Sequence, residues 1–137
     1  MNVVEDAIHD VIAGVANITA LVGTRIYEGV APAGATYPFV VFSHAGGGED
    51  RESPQHRKNL VYLLQGVSNV SKAQAETLAE YLETAFDETV LSVSGWTNIW
   101  TAVEEHLKAQ ELDTSSGIRT WRAGRYIRVR LSKLEGG

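Results

Sequence analysis

The sequence predicts an α+β fold: a single domain holding one mostly antiparallel or mixed β-sheet, with two main helices packed against it. Three observations predict it. Apolar residues recur at helical spacing in residues 3–17 and again in 72–87. Apolar runs of strand length appear at 39–43, 59–67 and 119–132. Glycine, proline and polar clusters separate these segments, so the chain alternates between elements and turns. At 137 residues it suits one core. The reading is one domain over residues 1–133, with 134–137 as a disordered tail and a long mobile loop between the central strands.

The first helix is predicted over residues 3–17, with Val4, Ile8, Val11, Ile12 and Val15 on one face. Asn2 followed by Glu5 fits a capping box, and Gly14 weakens this helix by up to ~1 kcal/mol relative to alanine. Next come a short Arg25-Ile26-Tyr27 strand and the Phe39-Val40-Val41-Phe42 strand, joined by a linker that Gly29, Pro32, Gly34 and Pro38 keep from being helical. Residues 43–57, SHAGGGEDRESPQHR, contain three consecutive glycines, mixed charges and a proline. Loops of that length in compact domains are often either functional or disordered, so this one reads either as a mobile hairpin tip or as a segment that orders against a neighbouring subunit or partner.

Residues 59–67 read as a central strand pairing antiparallel with 38–43, with Leu60, Tyr62 and Leu64 on one face. Ser71 and Gln74 form a second capping box opening the helix over 72–87, whose buried stripe is Ala75, Leu78, Ala79, Leu82 and Phe86. A short strand over 90–94 and a turn at Gly95 follow. Residues 97–106 read as strand, 107–112 fit either strand or helix, and 113–117 form a turn. In the last strand Ile127, Val129 and Leu131 alternate with Arg128, Arg130 and Ser132, a half-buried strand with a basic face.

Composition narrows the function. A net charge of -5 argues against a general nucleic-acid binder, because phosphate binding rests on Lys and Arg. With no cysteine, disulfides and thiolate metal sites are excluded. Neither a membrane helix nor the basic start of a signal peptide is legible, and a cytoplasmic product without membrane contact is expected. Histidines at 9, 44, 56 and 106 lack ligand spacing, no phosphate loop or dinucleotide fingerprint occurs, and His44-Ala45-Gly46-Gly47-Gly48 has no nucleophile elbow to serve. Asp113-Thr114 is followed by Ser115 where an aspartic protease needs glycine, and no second copy completes a dyad. The expectation is a non-enzymatic protein without catalytic residues, metal or cofactor.

Leu21-Val22-Gly23 with Arg25-Ile26-Tyr27, then Tyr37-Pro38-Phe39-Val40-Val41, then the Ala-Glu-x-Leu-Ala pattern of the second long helix, resemble the tail completion proteins of long-tailed bacteriophages. That family is also called tail terminator or tail-to-head joining proteins. The resemblance spans about residues 4–131. It implies a virion subunit, assembled in the host cytoplasm, that forms a ring of six copies on the head-proximal end of the tail. The ring would stop polymerisation of the tail tube protein and meet the head-tail connector protein, with DNA only passing through the lumen.

Two surfaces follow as candidates for that assembly. Glu76, Glu80, Glu83 and Asp87 line one side of the second long helix with only Lys72 near them in sequence, whereas Arg125, Arg128 and Arg130 form the basic strand face. Head-to-tail rings need two different complementary patches, and these carry opposite charge. The partner-contact loop is His44, Gly46, Gly47, Gly48, Glu49, Asp50 and Arg51. The rival readings are another phage neck or minor tail protein, and a monomeric or dimeric accessory or ligand-binding α+β domain.

Overall fold

The computed structural model describes residues 2–49, 57–112 and 120–133. In chain order the elements are α1 (Asn2–Ala13), α2 (Ala16–Val22), β1 (Ile26–Glu28), β2 (Phe39–Glu49), β3 (Arg57–Ser68), α3 (Lys72–Phe86), β4 (Ser92–Val93), β5 (Trp96–Leu112) and β6 (Thr120–Lys133). Among the described residues six strands form one sheet in the order β1-β2-β3-β6-β5-β4. β1 runs parallel to β2 and every other neighbouring pair is antiparallel. The fold is α+β with a mixed sheet, as the sequence predicts.

The three helices share one face of the sheet. Leu60, Tyr62 and Leu64 of β3 and Ile127, Val129 and Leu131 of β6 point to that side and join Ile8, Ile12, Leu78 and Phe86 in one buried cluster. Each such side chain contributes about 1.5–3 kcal/mol on burial. α3 comes close to the sheet because the residues beneath it are small: a Cβ on Gly66 would stand 2.4 Å from Leu78 Cβ. Ala75, Ala79 and Ala123 pack together beside it. On the opposite face, Phe39, Val41 and Val67 are covered by Tyr27, Ala31, Ala35 and Tyr37, so the glycine and proline linker folds back over one end of the sheet.

Arg25 explains why that linker lies where it does. Its Nε donates to the Pro38 carbonyl at 2.9 Å and its Nη2 to the Leu21 carbonyl at 3.2 Å. One side chain thus satisfies an orphan carbonyl at the C-terminus of α2 and fixes the start of β2.

Several expectations need correction. The helix expected over 3–17 is two helices, because the chain breaks at Gly14 and restarts from Val15 in extended conformation. Ile18 and Val22 of α2 are both fully buried, so the second helix packs on the same core as α1. Asn2 is the first residue of α1 rather than its cap, and Glu5 accepts a hydrogen bond from the Tyr62 hydroxyl at 3.2 Å. The second capping box is half realised: Ser71 Oγ accepts from Gln74 N at 3.1 Å, but the Gln74 side chain takes a hydrogen bond from Ser68 Oγ at 2.6 Å.

Of the loop expected after residue 42, residues 43–49 are strand. β2 continues to Glu49, pairing Gly46, Gly47 and Gly48 with Val61, Leu60 and Asn59 after a bulge next to His44. Glycine's low strand propensity loses here to pairing with a strong apolar strand. β5 runs through 107–112 to Leu112 in register with β6, which settles that segment as strand, and β4 is limited to Ser92–Val93. Asp50, Arg51, the turn at 113–117 and the tail at 134–137 lie outside the described residues.

Candidate assembly surface

α3 carries its carboxylates away from the core, as a helix with a single buried stripe must. Glu76, Glu80 and Asp87 are exposed and Glu83 is half-buried. Glu83 is not a solvated charge. Its Oε1 accepts from Arg125 Nε at 2.6 Å and lies 2.9 Å from His106 Nε2. Arg125 also donates to the Gly124 carbonyl at 2.9 Å, and only 11% of its side chain is accessible. Asp87 Oδ1 accepts from the Val103 backbone N–H at 3.1 Å. Lys72, Glu76, Glu80, His106, Lys108 and Arg125 thus line an open groove of about 400 Å³ between α3 and β5.

Alternation along β6 separates the three arginines of the predicted basic face. Arg125 shares the helix-bearing side with Ile127 and Val129, whereas Arg128 and Arg130 point to the other side. There Arg128 donates from Nε to Glu104 Oε1 and from Nη1 to Asn59 Oδ1 at 2.6 Å. The hydrogen bond to Glu104, set against partial burial, raises the Arg128 pKa above its ordinary value. Arg130 stacks over the Trp100 ring at 5.9 Å. The acidic stripe and the pair Arg128 and Arg130 therefore lie on opposite faces of one sheet, and Glu83 and Arg125 are bound to each other within the chain.

The expected partner-contact residues divide as well. His44 sits in β2 with its ring 5.2 Å from that of Tyr62, and Gly46, Gly47, Gly48 and Glu49 continue the strand. β1 covers the outer edge of β2 only at Val40, Val41 and Phe42. At the far side of the sheet, β4 covers β5 only at Trp96 and Thr97. Among the described residues no strand pairs with the outer edges of 43–49 or 98–112. Charge and proline are the usual sequence marks of an edge strand, and residues 43–49 and 98–103 contain no proline and little charge, so this feature was not legible beforehand.

Sequence patterning also missed Asn98. It is buried beneath β4, where its Oδ1 accepts from Leu91 N at 2.8 Å and from Thr101 Oγ1 at 2.9 Å, while its Nδ2 donates to the carbonyls of Trp100 and Arg130 at 3.1 and 3.0 Å. This fixes the bulge in β5 that turns Trp100 outward. Large apolar residues left exposed are Val30 at 84%, Val70 at 67%, Val90 at 73% and Trp100 at 37%. Val90 and Trp100 line one shallow groove with Glu88 and Ala102.

Among the described residues no helix is long and apolar enough to cross a membrane, and no cluster of His, Asp and Glu is arranged to hold a metal ion.

The sequence matches no protein-family model and no curated protein. The fold has known counterparts. A chain of the virion of a native gene transfer agent particle superimposes with a TM-score of 0.72 at 18% identity, covering 93% of this chain and 93% of that one. The gp17 protein of bacteriophage SPP1 superimposes with a TM-score of 0.51 at 14% identity, covering 99% of this chain and 92% of that one. Both are likenesses of fold.

Proposed function

We propose that this chain is a structural protein of a phage-type virion that caps the tail tube, ends its polymerisation and joins the tail to the head connector as a ring of six copies. The observation that carries the reading is the near end-to-end fold likeness to a chain of a gene transfer agent virion, supported by a second likeness to a phage protein. The tail tube protein and the connector are the proposed partners, the head-proximal tail end is the proposed location, and DNA is proposed only to pass through the lumen.

The charged surfaces keep a part in this proposal, in narrower form. Glu83 holds Arg125, and Arg128 holds Glu104 and Asn59. The acidic contribution to contact with a basic partner then falls mainly to Glu76 and Glu80, and the face that bears Arg128 and Arg130 offers the basic surface to another partner. Because these surfaces lie on opposite faces, copies joined side by side present one to the inside of the ring and the other to the outside.

Gold-labelled antibody raised against the purified chain tests the reading on intact particles by electron microscopy. A single cluster of label at the junction of head and tail is expected. Label along the tube, on the head shell or absent from particles would overturn it.

A further inference from the structure

We propose that neighbouring copies are joined strand to strand, the outer edge of β2 at residues 44–49 in one copy pairing antiparallel with the outer edge of β5 at residues 98–103 in the next. This rests on the ring reading above and names the junction that the ring would use.

The register of the sheet carries the argument. Following the pairings across it, His44 lies opposite Tyr62, Tyr62 opposite Ile127 and Ile127 opposite Val103. Five residues along, Glu49 leads through Lys58 and Leu131 to Asn98. The stretch of β2 that no strand covers therefore stands at the same height on the sheet as a stretch of β5 that no strand covers; there the Val103 N–H is held by Asp87 Oδ1 at 3.1 Å, a contact the neighbouring copy would displace. Copies in a closed ring are related by rotation without axial shift, so where the strands run along the ring axis, edges at equal height can meet directly. These two do.

Polarity agrees. β2 is antiparallel to β3, β3 to β6 and β6 to β5, so β2 and β5 run in opposite directions and meet antiparallel when copies stand side by side. Alternation agrees too: Val40 N–H reaches the Arg25 carbonyl at 3.0 Å and the Phe42 carbonyl receives Gly29 N–H at 2.8 Å, which makes His44 the next residue to aim its backbone outward. Gly46, Gly47 and Gly48 offer no side chain to hinder a second backbone.

The exposed apolar residues supply the third observation. Val30 follows β1 at the height of Phe42, where the open edge of β2 begins, and Val90 with Trp100 flanks the open edge of β5. Strand edges left open are normally blunted by charge or proline. Here each carries a large exposed apolar neighbour, 84% accessible at Val30 and 73% at Val90, which the junction would bury.

Two variants and one mapping experiment test the junction on the full-length chain. Val30→Glu disables the β2 side and Val90→Glu the β5 side, at positions too exposed to matter to the core. In native mass spectrometry the parent is expected to give one discrete oligomer and each variant alone a monomer. An equal mixture of the two is expected to give dimers and nothing larger, because each variant keeps one working edge. On assembly of the parent, amide hydrogen exchange is expected to slow at 43–49 and 98–103.

Either variant assembling like the parent, a mixture without dimers, or protection confined to the open sheet face around Leu63 and Tyr126 would overturn the proposal. A parent that stays monomeric at all concentrations would also overturn it. Antibody labelling of particles judges the virion role separately, so failure of the junction and failure of the role are distinguishable.

Discussion

Arg125 Nε donates to Glu83 Oε1 at 2.6 Å, binding the last strand to the acidic helix within one chain. Charge reversal at either position is therefore a test of the fold before it is a test of assembly. Glu83→Lys sets two cations together in a partly buried site and is expected to cost about 1–2 kcal/mol. The urea midpoint of the isolated chain reads this. The double variant Glu83→Lys with Arg125→Glu is expected to recover much of the loss, whereas Glu76→Lys, on an exposed turn, leaves the midpoint unchanged.

Asn98 meets four partners with its side-chain amide beneath β4. Asn98→Leu keeps the volume and leaves the Leu91 N–H and the Thr101 hydroxyl without an acceptor. A loss of about 2–4 kcal/mol is expected from unsatisfied buried groups, seen as a lower thermal midpoint. A variant as stable as the parent would show that the bulge in β5 holds without this residue.

Glycines in this sheet are not equivalent. A Cβ at Gly66 would meet Leu78 Cβ at 2.4 Å, and one at Gly124 would meet the Leu64 carbonyl oxygen at 2.5 Å, whereas one at Gly46 meets nothing within 4 Å. Gly66→Ala and Gly124→Ala are expected to lose about 1–3 kcal/mol each through overpacking. Gly46→Ala is expected to leave thermal stability unchanged.

Tyr62 gives the chain an alkaline limit. Burial first, then the charge of Glu5 and the hydrogen bond to it, raise the Tyr62 pKa well above that of a free tyrosine. The folded state therefore holds a proton that the unfolded state releases near pH 10, so this stabilisation is complete below about pH 10 and falls as pH rises past it. Urea midpoints compared at about pH 8 and pH 11 are expected to drop less for Tyr62→Phe than for the parent.

Much of the architecture was legible because the core-facing stripes are regular. Ala75, Leu78, Ala79, Leu82 and Phe86 are the buried face of α3, and Ile127, Val129 and Leu131 are the inward side of β6. Local pattern failed where tertiary pairing outweighed it. Gly46 to Gly48 read as loop until β3 supplied a partner, and an apolar stripe that runs on at helical spacing gave no sign of the break between α1 and α2. The candidate surface was half legible. Its charges could be found in the sequence, and alternation along β6 already sets Arg125 apart from Arg128 and Arg130, but the sequence carried no sign that Glu83 and Arg125 neutralise each other.

If this chain ends the tail and joins it to the head as proposed, electron microscopy of particles produced with its gene inactivated is expected to show filled heads and separate tails, with tubes of irregular or excessive length, and normal joining once the parent chain is supplied again. Intact particles with tails of normal length, assembled without this chain, would contradict it.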